Sequence, residues 1–194
     1  MGDGAMTRER ILAEALDVFS RDGFDGARME MIAAQVGINK ASLYFHFKSK
    51  EELFRGLFRT IADKYASNIR RITNQTADLT LEKRLTVIFQ DYLKYDWDNA
   101  EIDFWNRVFY SPPQMMREEV YQRTLEIESE FLTKLIAIFE DGIRCNEIRP
   151  LDPQRMAKTF YYLLTGVSVS VVSKAEAYGD MESCFAVFWD GIKR

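Results

Sequence analysis

Cysteine is nearly missing from this chain: only Cys145 and Cys184 occur, far apart, without Cys-x-x-Cys spacing and without a histidine nearby. That excludes a disulfide framework and a zinc site of the usual spacing, and two reduced, partly buried thiols are the plain expectation. Histidine occurs once, as His46. With one imidazole there is no metal-ligand cluster and no nucleophile-base pair, so neither a bound metal, a cofactor nor an enzyme activity is expected. Proline (4) and glycine (10) are scarce, which argues against a turn-rich β sandwich and permits long helices. Long apolar runs are also absent, and the opening "MGDGAMTRER" has no apolar signal core. No membrane partner and a cytoplasmic location follow as expectations. Basic charge is in deficit as well: the net charge is −4. Taken alone this disfavours nucleic acid. The charge is unevenly spread, however. Residues 40–50 hold Lys40, Lys48 and Lys50 and not one carboxylate.

What the chain has in quantity is apolar and aromatic side chains, 47% and 13% of 194 residues, enough for a substantial core. Their spacing is helical almost throughout. Thr7 is a suitable N-cap, Ile11, Leu12, Ala15, Leu16 and Phe19 follow on one face, and Gly23 can stop the helix. Met29, Ile32, Ala33 and Val36 form a second face, ended by Gly37. Asn39 caps a short third helix with Leu43, Tyr44 and Phe47 facing inward. Ser49 caps a fourth, running to about Ile72, with Glu51 and Glu52 at the positive end of its dipole. The polar run Thr73–Thr80 reads as a loop. Helices are then expected over Leu81–Asp98, Glu101–Tyr110, Pro113 to about Arg144, Pro153 to about Tyr178, and Met181–Ile192, with Gly179 and Asp180 turning the chain before the last. "VSVSVV" (Val167–Val172) alternates like a strand. A lone strand would leave its hydrogen bonds unmade, so it too is assigned to helix. The expected fold is all-α, about nine helices: a three-helix N-terminal domain joined by a long helix to a C-terminal bundle. Residues 1–50 form the first domain and 51–194 the second.

The second and third helices, joined by Gly37-Ile38-Asn39, have helix-turn-helix spacing. Glycine permits a left-handed turn, and Ile38 fills the angle between the helices. The third helix is too short to be mostly buried and presents Lys40, Ala41, Ser42, Phe45 and His46 outward, a shape that suits a major groove. Many helical hairpins share this spacing, but the residues add more. Ile32-Ala33, Gly37, Leu43-Tyr44, His46-Phe47, Ser49-Lys50-Glu51 and Leu53 stand in register with the pattern of the TetR family of bacterial transcriptional regulators. The chain resembles that family over about residues 7–54, and beyond them only in length and helical character.

The resemblance implies roles for the matching positions. Lys40 and Ala41 reach base edges, lysine donating to guanine and Ala41 packing on a thymine methyl. Ser42, Tyr44 and His46 donate to phosphates, and Lys50 meets another phosphate beside a helix N-terminus. Where members often carry threonine at the start of helix two, this chain has Ala27-Arg28, so Arg28 takes the phosphate instead. Phe45 is bulkier and less polar than the residue many members have there. Plainer readings stand beside these. Leu43 and Phe47 are core, Tyr44 suits a core position as well, and Lys48 reads as a solvated loop lysine.

The resemblance further implies a homodimer on a pseudo-palindromic double-stranded DNA operator and a small-molecule effector bound among helices four to eight. Dimer contacts fall to the last two helices: Tyr162, Gly166, Val169, Ser170, Phe185, Phe188, Trp189 and Ile192. Trp105, Asn106, Phe109 and Tyr161 are the candidate ligand residues, with Arg107 a second polar group beside them. Most of the central aromatics are ordinary core. The function implied is a repressor released from its operator when ligand shifts helix four. The alternative is a helix-turn-helix protein without an inducer, controlled by a protein partner or acting structurally.

Overall fold

The computed structural model describes residues 3–93, 99–172 and 178–194, without the side chains of residues 3–6, 99, 169–172 and 178–181. Among the described residues the chain forms nine α-helices: α1 (Asp3–Gly26), α2 (Met29–Val36), α3 (Lys40–His46), α4 (Lys50–Asn74), α5 (Leu81–Leu93), α6 (Asn99–Tyr110), α7 (Arg117–Arg144), α8 (Pro153–Val172) and α9 (Tyr178–Ile192). A 3₁₀ turn, Gln114–Met116, precedes α7. The one β feature described is an isolated bridge between Ile148 and Lys193. Val167–Val172 is helical, as the strand argument required.

Four local expectations need correction. The first helix begins at Asp3, so Thr7 lies inside it rather than at its cap. Gly23 does not end that helix; it kinks it, at φ 70°. The last helix begins at Tyr178, so Gly179 and Asp180 are inside it. Cys145 and Cys184 are exposed rather than partly buried. The helix expected over residues 94–98, and the end of α8 expected over 173–177, lie outside the described residues.

Packing divides the chain into two units, Met1–Tyr65 with Trp97–Thr124, and Ala66–Asp96 with Leu125–Arg194. A cut at residue 50 does not follow this packing. The reason is the aromatic core of the first unit. Phe54, from α4, lies 4.9 Å from Phe19, 5.2 Å from Phe24 and 5.3 Å from Phe104 of α6, ring centre to ring centre. Leu53, Phe58 and Ile61 are buried along the same stretch of α4. α6 packs on α1, where the Arg107 guanidinium donates to the Ser20 carbonyl at 3.1 Å. Ion pairs tie α4 to α6 and to the start of α7: Arg55 and Arg59 share Glu119, Arg123 meets Asp63, and both oxygens of buried Glu101 lie 2.6 Å from the Lys64 ammonium.

The second unit is centred on Phe89, Phe139 and Phe160, with Phe185 and Phe188 of α9 closing over them. Phe188 lies 5.3 Å from Phe160, and Phe185 lies 5.4 Å from Phe89. These two aromatics were expected on a dimer face. Both are half-buried in this cluster, and Ile192 is buried. The outward positions of α8 and α9 are instead Tyr162, 61% exposed, and Val187, 74% exposed, with Gly166 also at the surface. Trp189 is half-buried. The side chains of Val169 and Ser170 lie outside the described residues.

Candidate nucleic-acid interface

α2 stops because Gly37 adopts a left-handed conformation, φ 75° and ψ 30°. The N–H of Ile38 then returns to the Ala33 carbonyl at 3.0 Å, using up an orphan acceptor at the helix end. Asn39 is extended, and its Oδ1 accepts from the Ser42 N–H at 2.8 Å, which starts α3. α3 is anchored by Leu43 and, just after it, Phe47, both fully buried. Met29, Ile32, Ala33 and Val36 of α2 are also buried. Two short helices are thus fixed by one αL glycine, one asparagine cap and six apolar side chains. Ser49 caps α4 by accepting from the Glu52 N–H at 3.1 Å, and the Glu52 carboxylate returns to accept from the Lys48 N–H at 2.8 Å.

The free face of α3 carries Lys40, Ala41 and Phe45 fully outward, with Ser42, Tyr44 and His46 half-buried at its flanks. Arg28, before α2, is exposed, and its side chain makes no cap hydrogen bond. Lys40, Ala41, Ser42, Phe45 and His46 share the outer side of α3, as the spacing predicted, whereas Tyr44, expected to face inward, is only half-buried. Their ionic partners were not foreseen. Lys40 is ion-paired with Glu30 of α2, and that hydrogen bond holds the ammonium above, and the carboxyl below, its ordinary pKa. Lys48 lies exposed in the bend between α3 and α4, as a solvated loop lysine would. Its ammonium donates to the carbonyls of Phe45 and Tyr44, at 3.2 and 3.4 Å, the negative end of α3.

Lys50 departs furthest from expectation. Its ammonium donates inward to the carbonyls of Phe24 and Ala27, at 2.6 and 3.0 Å, and sits over the Phe24 ring. In this structure the side chain clamps the end of α1. No spacing rule reveals this, because the acceptors lie 26 and 23 residues earlier in the chain.

The candidate ligand residues are divided between the two packing units. Trp105, Asn106 and Phe109 belong to the first unit and Tyr161 to the second. Trp105 lies 6.4 Å from Phe58 and 5.1 Å from Tyr65, ring to ring, and Phe109 is 45% exposed. Arg107, considered as a ligand-orienting group, is committed to the Ser20 carbonyl. Tyr161 packs edge-on against Phe131, and burial pushes its hydroxyl well above the ordinary tyrosine pKa. An open cleft of about 700 Å³ in the first unit is lined by Phe24, Asp25, Glu51, Pro113, Gln114 and Met115, none of them a candidate. Among the described residues no three His, Cys, Asp or Glu side chains are placed to hold a metal ion, and no helix is long and apolar enough to cross a membrane.

A capped, apolar-anchored helix pair that presents a short polar helix beside three cations is a helix-turn-helix DNA-binding domain. Residues 11–57 match the family model described as bacterial regulatory proteins, tetR family. The chain is 27% identical to the HTH-type transcriptional regulator RutR of Escherichia coli K12 over 173 residues, 87% of this chain and 79% of that one. It is 25% identical to the negative transcriptional regulator IcaR of the biofilm operon icaADBC from Staphylococcus epidermidis, over 69% of each chain. A transcriptional regulator from Saccharomonospora viridis, solved in complex with choline, has the same fold, with a TM-score of 0.79 at 17% identity over 98% of this chain and 100% of that one. Over residues 11–57 the chain carries the DNA-binding segment described by the model of the TetR family of bacterial regulators. It is a DNA-binding transcriptional regulator, and its relatives are regulators rather than enzymes.

Proposed function

We propose that this regulator is a repressor that binds a two-half-site operator as a homodimer and is released by a small-molecule effector. The observation that carries the DNA half is the free face of α3, held proud of a core closed by Leu43 and Phe47. In this reading Lys40, once exchanged from Glu30, and Ala41 address base edges. Ser42, Tyr44, His46 and Arg28 address phosphates. Lys50 acts indirectly, by fixing the end of α1. Repression is supported by the negative regulation named for IcaR, and a small effector by the choline bound to the Saccharomonospora protein. Tyr162, Gly166 and Val187 are the outward positions of α8 and α9 that suit a two-fold contact.

Release needs a coupling between two sites. α4 is one unbroken helix of 25 residues, with its first turn beside α3 and its later turns carrying the ion pairs to Glu119 and Glu101. An effector that displaces α4 moves the paired recognition helices off the separation of roughly 34–36 Å that successive major-groove half-sites demand. A tenfold loss of affinity requires about 1.4 kcal/mol of differential binding. Selection of bound duplexes from a random pool, followed by a screen of small molecules for release, tests both halves. Failure to enrich any duplex removes the regulator reading. Enrichment of a duplex that no small molecule releases removes the inducer.

A further inference from the structure

Phe45 is the most exposed large apolar side chain described, at 76%, and it stands in the middle of the helix that addresses DNA. Its immediate companions Leu43 and Phe47 are fully buried, so the helix had inward positions to offer and this ring does not use one. Nothing apolar covers it. Its neighbours are polar: the Lys48 ammonium lies 5.6 Å from the ring centre and the His46 ring 5.5 Å away, edge to face. Lys48 also donates to the carbonyls of Tyr44 and Phe45, which places the cation beside the ring. Ala41, one turn earlier, is exposed on the same helix, and α3 carries no carboxylate.

We infer that Phe45 reads the 5-methyl group of a thymine in each operator half-site, and so sets sequence preference by an apolar contact. The inference rests on the DNA-binding reading of α3. The occupant follows from chemistry. A phosphate-lined groove attracts the cations that flank the ring, and the thymine methyl is the apolar group that a major groove displays. A phenylalanine has no donor or acceptor for the other base-edge atoms. It cannot contribute to phosphate neutralisation either, so its contribution is separable from the salt-dependent part of binding.

The test uses the full chain and the duplex enriched from a random pool. Each thymine in turn is replaced by deoxyuridine, which removes the methyl and leaves the base pairing intact. Affinity is expected to fall about fourfold at one position per half-site, and roughly fifteenfold when both half-sites are changed, the size of effect set by one buried methyl group. Phe45→Ala is expected to abolish that thymine-over-uracil difference, to leave the salt slope unchanged, and to leave the melting temperature unchanged because the ring is exposed. Phe45→Leu should retain part of the difference. A preferred duplex in which no demethylated thymine loses affinity overturns the inference while leaving the regulator standing, as does a difference that survives intact in Phe45→Ala. If no duplex is enriched at all, both readings fall together.

Discussion

The Nζ of Lys50 lies 2.6 Å from the carbonyl oxygen of Phe24 and 4.3 Å from the centroid of the same residue's ring. One cation at the start of α4 thereby satisfies two carbonyls at the end of α1 and packs on its last aromatic. Lys50→Met keeps the stem and removes the charge. It is expected to lower stability by about 1.5–3 kcal/mol, the range for a hydrogen bond to a charged group. The slope of log affinity against log salt should stay that of the parent, since no phosphate contact is lost. A slope that flattens by about one contact would restore the phosphate role.

Glu30 holds Lys40 in the absence of DNA. Glu30→Gln is expected to strengthen DNA binding about two- to fivefold at low ionic strength, with the gain vanishing in high salt, because the pair is exposed and screened. Its carboxyl is depressed below the ordinary 4.5 by the hydrogen bond from Lys40. For a depressed acid the pair is intact above the unfolded pKa and lost as pH falls through the folded one. This contact is therefore constant across neutral pH and lets go only in acid below that ordinary value. Affinities of parent and Glu30→Gln, compared by fluorescence anisotropy, should run in parallel between about pH 6 and pH 8.

Gly37 has open space around its missing Cβ and a left-handed backbone. The cost of a side chain there is conformational alone. Gly37→Ala should lower stability by roughly 1–2 kcal/mol, and Gly37→Asn by less, because asparagine tolerates this region. Equal costs for both in denaturant melts would contradict a purely conformational origin.

The two faces of α9 should respond differently. Val187→Glu is expected to leave folding intact and convert a dimer to a monomer in sedimentation, with operator affinity lost alongside. Phe188→Ala, which opens the cluster around Phe139 and Phe160, should instead lower stability by about 2–4 kcal/mol. A Val187→Glu variant that stays dimeric sends the two-fold elsewhere.

The Glu101 carboxylate is buried while its partner Lys64 is 42% exposed. Removing the cation takes this partner from a buried carboxylate. Lys64→Met should cost about 1–3 kcal/mol, discounted from a fully buried pair by the lysine's exposure. Much of that loss should return in the Lys64→Met, Glu101→Gln double variant, where the carboxylate charge is removed together with the cation. An additive double variant in a thermal cycle would deny the pairing.

Most helices are legible in the sequence because their signals are local. Asn39 caps α3, Ser49 caps α4 and Asp152 caps α8 within three residues of the groups they satisfy. Gly37 ends α2 by its own backbone. The recognition face is legible for the same reason: burying Leu43 and Phe47 leaves Ala41 and Phe45 no other direction. What escaped is non-local. Lys50 turns inward because carbonyls from α1 happen to lie there, and Lys40 finds Glu30 across a turn. Both ion partners are set by how the helices dock, and the spacing of residues says nothing about docking. Phe185 and Phe188 escaped for another reason. α9 is apolar on more than one side, so periodicity cannot say which side meets the core and which meets water. Tyr161 and Trp105 look alike as aromatic positions but belong to different packing units.

Arg107 reaches back 87 residues to hold the Ser20 carbonyl, and Phe104 from the same helix fills the space behind Phe54. The reading head of this regulator is consequently not a cassette. Cut out at the end of its recognition motif and transplanted onto a foreign body, it would arrive with an oily wound where α6 and the first turns of α4 used to sit. Any chimera that keeps its DNA specificity has to carry the later segment along as a brace.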